Sequence, residues 1–306
     1  MKSFIDAVSL LPESVREQLL LCDESDMKRI NEIRFRVGRP VTLNTRTEKF
    51  YITKSGRLTY QVSLGALTTD ENAVNEIVIS LARRSLHTYQ DMIARGFIPL
   101  KGGCKAGVAG CAVIKNGCVS SVSSFNSVNI RIAREYAGCS SEVLRAVGEN
   151  CRSFLLTGPP LSGKTSILRD LCRFYSGAAN PDPKKTVIID ERDEIASASF
   201  GAGADVGVHT DILSLYPKAL GADIALRTLS PDIMVLDEIG AADEVQPLLD
   251  AFNGGVDIIA TAHAASFAEA AARPNIKKLL DGGVFKKVIV LKGKATPCEV
   301  SEAVKL

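Results

Sequence analysis

Residues 158–166 read GPPLSGKTS and contain GxxxxGK[ST], a spacing whose chemistry is the capture of phosphate oxygens. The stretch follows the apolar Phe154-Leu155-Leu156 and precedes KTSILRDLCRFY, so it lies between a strand and a helix. Gly158 and Gly163 then permit the tight turn. The loop from Pro159 and Pro160 through Leu161 and Ser162 wraps the phosphates, and the helix start at Lys164, Thr165 and Ser166 points N–H groups at them. Lys164 is expected to reach the β and γ phosphates, and the Thr165 hydroxyl to ligate Mg²⁺.

Three further stretches carry polar groups at the ends of apolar runs. MVLDEIG ends in Asp237 and Glu238: at the carboxyl edge of a parallel sheet, Asp237 can hold Mg²⁺ through water. Glu238 is then placed to orient or deprotonate an attacking water. The plain alternative is a strand ending in a solvated acidic turn. VDIIATAHA ends in Thr261 and His263, and His263 is expected to sense the γ-phosphate or the water, although a lone histidine is more often structural. In VIIDERDEIA a strand inserted between the two nucleotide-binding strands would bring Asp190 and Glu191 near the metal and Arg192 near a phosphate or a neighbouring subunit. Four acids around one arginine can equally form a solvated loop with its own ion pairs.

These residues need a scaffold, and the chain predicts one. From Cys151 onward apolar strands alternate with helices (FLLTG, TVIIDE, PKALGADIALRTL, DIMVLDE, DEVQPLLDAFNGG, VDIIATAH, FAEAAAR, KKVIVLKG), which implies parallel βαβ units with both sheet faces covered. The front half differs. Two short helices lead to EIRFRVGRPVTL, where Ile33, Phe35 and Val37 alternate with Arg34 and Arg36; a helix then starts near Thr69 or Asp70, a second covers SLHTYQDMIARG, and short turns join GFIPL, KAGVAGCAVI, CVSSVSS and SVNIRIARE into an antiparallel sheet. A helix near SSEVLRAVGEN closes this half. The expected organisation is a smaller α+β domain over 1–145 and an α/β P-loop domain over 146–306.

The bulk properties restrict the function classes. With 306 residues, 46% hydrophobic and 24% charged, the chain reads as an ordinary globular protein of two domains. No apolar run reaches the roughly 18 residues of a membrane span, and acids throughout the first 30 residues exclude a signal peptide, so a membrane role is expected to be peripheral or through a partner. Eight cysteines without a CxxC pair point to reduced thiols rather than a metal or disulfide scaffold. Residues 1–150 hold 20 basic and 15 acidic side chains, a net of +5, and the remainder 17 and 20, a net of −3. So small an excess gives no ground for nucleic-acid binding.

Taken together, GPPLSGKTSILRD, VIIDERDEIA, DVGVHTDILSLYPKALG, RTLSPDIMVLDEIG and ATAH resemble the stage III sporulation protein AA family, with matching pieces in EIRFRVGRP, GFIPLKGGCKAGVAG and NIRIARE. That family is similar to the ATPases of type II and type IV secretion systems, of the RecA-like class with an additional catalytic glutamate. The resemblance implies a RecA-like core, ATP as the nucleotide and a homo-oligomeric ring, expected as a hexamer, with nucleotide at subunit boundaries. It also implies a place in the mother-cell cytoplasm of an endospore former, docked through a membrane protein on the channel to the forespore. Carried onto this sequence, Gly158, Gly163, Lys164 and Thr165 match the phosphate loop, Asp237 and Glu238 the metal-holding and catalytic acids, Glu191 the acidic box and His263 the histidine box. In such rings the front domain supplies arginines in trans, and Arg131 and Arg134, with Arg83 and Arg84, are the candidates. One departure is Gly103-Cys104-Lys105-Ala106-Gly107, where the family pattern is GGHRVG: lysine keeps the charge of arginine but loses its two-pronged donor set.

Two other readings share the phosphate motifs. A nucleic-acid motor on the same core lacks support from paired aromatic and basic residues suited to stacking single strands. A nucleotide-gated structural ring with little turnover has no use for Glu238.

Overall fold

The computed structural model describes residues 2–45, 47–62, 65–133, 136–148, 151–198 and 203–306. The chain divides into two compact units, the first over 1–134 and the second taking up the chain from 135 to 199 and from 203 to the end.

In the first unit, alternation decides the sheet. Strand Glu32–Arg36 buries Ile33 and Phe35 and leaves Glu32, Arg34 and Arg36 half-exposed. It pairs antiparallel with Thr42–Asn44 on one side and Cys118–Arg131 on the other, within a seven-stranded antiparallel sheet. Helix Glu71–Leu81 packs on this sheet, burying Val74, Ile77, Val78 and Leu81 completely, each worth about 1.5–3 kcal/mol. Asp70 caps it, its carboxylate accepting from the Ala73 N–H at 2.8 Å. Where two strands are expected over 118–131, there is a single one, because its pairing with Lys105–Lys115 continues on both sides of an irregularity at Ser124–Asn126. That irregularity sets Ser124, Phe125 and Asn126 opposite the single Gly110, with Ser124 at φ 46°, and a Cβ at Gly110 would lie 2.6 Å from the Ser123 carbonyl oxygen. Three short helices (Lys2–Val8, Glu13–Leu20, Glu24–Arg29) replace the two expected, and the stretch around SLHTYQDMIARG is α-helical only over Gln90–Ala94.

The outer face of this sheet carries a polar cluster. The Glu32 carboxylate accepts from Arg34 Nε (2.8 Å) and Nη2 (2.9 Å), Asn44 Nδ2 (2.6 Å) and Asn129 Nδ2 (2.7 Å), joining three strands. Burial alone raises such a carboxyl, but these donors outweigh it and bring Glu32 down to about 2.

The second unit is a seven-stranded sheet in the order Thr210–Ser214, Thr186–Asp190, Ile233–Leu236, Asp257–Ala262, Phe154–Thr157, Lys287–Leu291, Val300–Lys305. The first six are parallel and the last is antiparallel. Both faces are covered: Leu155, Ile189, Met234, Ile258 and Val288 enter one core, and Leu156, Ile188, Val235, Ile259 and Ile289 the other. That is why these strands read as unbroken apolar runs. Helix Ser141–Val147, expected to close the front half, contributes Val143 and Val147 to the second of these cores.

One expectation about strand order is overturned. Thr186–Asp190 does not lie between the P-loop strand and Ile233–Leu236; it flanks Ile233–Leu236 on the far side, and Asp257–Ala262 occupies the middle position. All these strands are apolar and buried on both faces, so periodicity carries no information about neighbours. Two edge strands, Thr210–Ser214 and Val300–Lys305, and helix Pro274–Asp281 add to the expected elements; the strands are short or largely exposed and lack a buried-strand signature.

Because the Glu32 carboxyl is depressed in the folded chain, its contribution is present above its unfolded value near 4.5 and lost as pH falls toward about 2. Glu32→Gln is expected to lower stability at pH 7 by about 1–2 kcal/mol, discounted for solvent screening, with the gap to wild type closing between pH 4.5 and 2. Denaturant midpoints measured across that range test this, and a gap that does not change with pH contradicts it.

Candidate active site

Parallel pairing brings the motif ends to one edge. Strand Phe154–Thr157 leads into the glycine-rich loop, Ile233–Leu236 into Asp237 and Glu238, Asp257–Ala262 into His263, and Thr186–Asp190 into Glu191 and Arg192.

The loop is shaped for an anion. Gly163 has φ 95°, a left-handed value, and a Cβ there would stand 2.6 Å from Cys298 Sγ, so only glycine fits. The Cys298 N–H also holds the Ser162 carbonyl at 2.8 Å. Gly158 and Ser162 are buried, Pro159 is half-buried, and Pro160 and Leu161 face solvent. Ser162 Oγ is buried and has no hydrogen-bond partner among the described residues, a polar atom suited to a bound oxygen. Helix Lys164–Ser176 starts at the loop's end, with Ser166 half-buried in its first turn and its carbonyl accepting from Cys139 Sγ at 3.5 Å. Lys164 is nearly buried and its Nζ donates to the Gly158 carbonyl (2.9 Å) and the Pro159 carbonyl (3.2 Å). Burial pushes its pKa down, opposed by the charges of Asp237 and Glu238.

Thr165 Oγ1 donates to Asp237 Oδ2 at 2.7 Å, and the other carboxylate oxygen accepts from Thr261 Oγ1. A hydroxyl and a carboxylate side by side are the hard oxygen donors that Mg²⁺ selects, so the residues fit that ion. Glu238 has φ 54°, unusual for a residue with a side chain, and its N–H donates to Thr261 Oγ1 at 2.8 Å. Its Oε1 meets His263 Nε2 at 2.7 Å, and its Oε2 accepts from Arg192 Nη1. His263 Nδ1 lies 3.2 Å from Lys164 Nζ. Lysine can only donate and an ionised carboxylate only accept, so these partners fix Nε2–H as donor and Nδ1 as acceptor. Lys164, His263, Glu238 and Arg192 thus form one continuous chain.

The acidic loop departs from expectation. Asp190 does not offer itself to a metal: its carboxylate is buried and taken by the N–H groups of Glu194 (2.7 Å), Ile195 (2.9 Å) and Ala196 (2.8 Å). Burial raises its pKa despite those bonds. Glu191 accepts from Lys218 Nζ at 2.7 Å. Lys218 also donates to Glu244 Oε1 at 2.9 Å; burial lowers its pKa, but the two carboxylates outweigh that and raise it. Lys218, Glu244 and the part played by Thr261 are not marked by any of the motifs. The usable signal for Thr261 is its place at the strand end two residues before His263; Lys218 and Glu244 belong to no phosphate-site spacing.

Of the front-unit candidates, Arg131 is exposed at the end of its strand, opposite Glu32 and Lys105, and Arg83 and Arg84 are exposed with left-handed φ of 50° and 61°. Lys105 places its Nζ 5.5 Å from the centre of the Phe97 ring. Arg134 lies outside the described residues.

A profile of the family described as "Sporulation stage III, protein AA" matches residues 5–304. The chain belongs to the sporulation stage III protein AA family. Stage III sporulation protein AA of Bacillus subtilis (strain 168) is 34% identical over 300 residues, covering 97% of this chain and 94% of that protein. Among solved structures, the Legionella pneumophila ATPase DotB superposes with a TM-score of 0.56 at 14% identity, over 92% of this chain and 78% of that one. The pilus retraction motor PilT gives 0.52 at 14% identity, over 90% and 76%. At such identities the likeness establishes the fold, a RecA-like P-loop core preceded by an α+β unit, as the family resemblance implied. Among the described residues no helix is long and apolar enough to cross a membrane.

Thr261 is buried and serves both Asp237 and Glu238. Thr261→Val keeps the shape but removes both bonds, and is expected to destabilise the chain by about 1–3 kcal/mol. Equilibrium urea unfolding gives the number; an unchanged midpoint would remove Thr261 from this account.

Proposed function

We propose that the chain is a Mg²⁺-dependent ATP hydrolase that works as a homo-oligomeric ring motor, expected as a hexamer. In this reading it energises assembly of, or transport through, the channel between mother cell and forespore. The observation that carries the hydrolytic reading is Glu238, held beside the phosphate loop through His263 and Lys164 at 2.7 and 3.2 Å. Family membership supports the sporulation setting. DotB, an ATPase, and PilT, a motor solved with ADP bound, share the fold and support the motor reading.

The chain's own groups divide the work. Lys164 and the loop N–H groups bind the β and γ phosphates, with Ser162 Oγ free to join them. Mg²⁺, held by Thr165 and through water by Asp237, would neutralise charge on the β and γ oxygens. A water attacks the γ phosphorus, Glu238 accepts its proton, and ADP departs. His263 keeps the Glu238 carboxylate turned toward the loop and makes it responsive to charge arriving at Lys164. Arg192, largely exposed and paired to Glu238, can exchange that partner for a γ-phosphate oxygen. Arg131 and Arg134 are proposed to act across the subunit boundary. The chain is placed at the forespore membrane, on the mother-cell side, through a membrane protein.

Lys164→Ala is expected to abolish ATP binding in a fluorescent-nucleotide titration. Glu238→Gln should bind ATP within a few-fold of wild type while phosphate release falls about 10²- to 10⁴-fold. Wild-type turnover by the Glu238→Gln protein would sink the assignment.

Ring formation has its own readout. The Glu238→Gln protein with ATP should rise in mass with concentration toward a single oligomer in light scattering. An active wild-type chain that stays monomeric at every concentration contradicts shared sites.

A further inference from the structure

Glu244 immediately precedes helix Val245–Asn253, where a carboxylate ordinarily serves its own helix. Here it turns the other way. Oε2 accepts from the N–H groups of Gly240 (2.7 Å) and Ala241 (3.0 Å), and Oε1 from Lys218 Nζ. The side chains of Glu244 and Lys218 are only 7% and 11% exposed, so their attraction is weakly screened. Lys218, at the start of helix Lys218–Ile224, reaches on to Glu191 and lines a small cavity together with Arg192, Asp237 and Glu238.

The segment that Glu244 holds begins at Glu238. A left-handed φ at a residue with a Cβ persists only when its surroundings hold it there. Thr261 fixes the N–H groups of Glu238 and Ile239, and Asn275 Nδ2 donates to the Gly240 carbonyl at 2.9 Å. Glu244 supplies the charged anchor, taking the next two N–H groups. Withdrawing its charge frees Gly240 and Ala241 to rotate, and with them the direction in which Glu238 projects.

We propose that Glu244 and Lys218 are positioning residues for Glu238: the Lys218–Glu244 pair pins the main chain after Glu238 and ties it to the acidic loop at Glu191. This rests on Glu238 as proton acceptor. Glu191 accordingly acts through Lys218 rather than at the reacting atoms.

Glu244→Gln keeps the volume and removes the charge. Its kcat for ATP is expected to fall about 10- to 100-fold, with KM and nucleotide Kd within about twofold of wild type. Lys218→Arg should retain most of the kcat, whereas Lys218→Met should fall with Glu244→Gln. The decisive comparison is Glu244→Gln made in the Glu238→Gln background and followed by single-turnover hydrolysis. If Glu244 works through Glu238, the second substitution costs nothing further. Wild-type kcat in Glu244→Gln overturns the proposal. So does a loss that persists undiminished in the Glu238→Gln background alongside weakened Kd and a lowered unfolding midpoint, because that pattern marks support of the fold alone. Wild-type turnover by Glu238→Gln itself overturns the reading beneath it, and is told apart because it is measured without touching Glu244.

Discussion

Parallel pairing of Phe154–Thr157, Asp257–Ala262 and Ile233–Leu236 ends three strands at one edge, and the contacts among Lys164, Thr165, Asp237, Glu238, Thr261 and His263 follow from that register. The pairing of Leu156 with Thr261 and of Leu236 with Ala260 sets the phosphate loop, the hydroxyl of Thr261 and the acids at 237 and 238 within hydrogen-bond reach. A sheet buried on both faces cannot slip by a residue without sending one core's side chains into the other. The apolar packing therefore positions the charged groups at the strand ends.

On that edge the polar groups are connected rather than merely adjacent. Thr165 and Thr261 share the two oxygens of Asp237, and His263 joins Lys164 to Glu238. Each bond removes a rotamer from a group that must be aimed, which is how a site spares reorganisation during reaction. The left-handed backbone at Glu238 belongs to the same logic: a conformation costing about 1–3 kcal/mol is kept where Thr261, Asn275 and Glu244 all hold it.

The front unit obeys different physics. Its antiparallel sheet has one face in the core and one turned outward, so polar and apolar residues alternate and the strands are readable one by one. Over 118–131 the turn-type residues Ser124 and Asn126 mark a bulge opposite Gly110 and not a strand end, a difference that only the pairing on either side decides.

The amino-acid sequence by itself determined the phosphate loop, the identity of Asp237 and Glu238, the alternation of strand and helix after Cys151, and the place of His263 at a strand end. These are legible because a tight turn, a helix start and a buried strand each impose their demands within a few neighbouring residues. Tertiary structure decided which strand lies between the loop and Glu238, that Asp190 folds inward onto its own loop, that Arg192 pairs with Glu238, and that Lys218 and Glu244 join the site. Those outcomes depend on contacts between residues far apart in the chain. Two equally apolar strands are indistinguishable until their ladders are formed, and a lysine or glutamate in a connecting segment carries no mark of the partner that burial will give it.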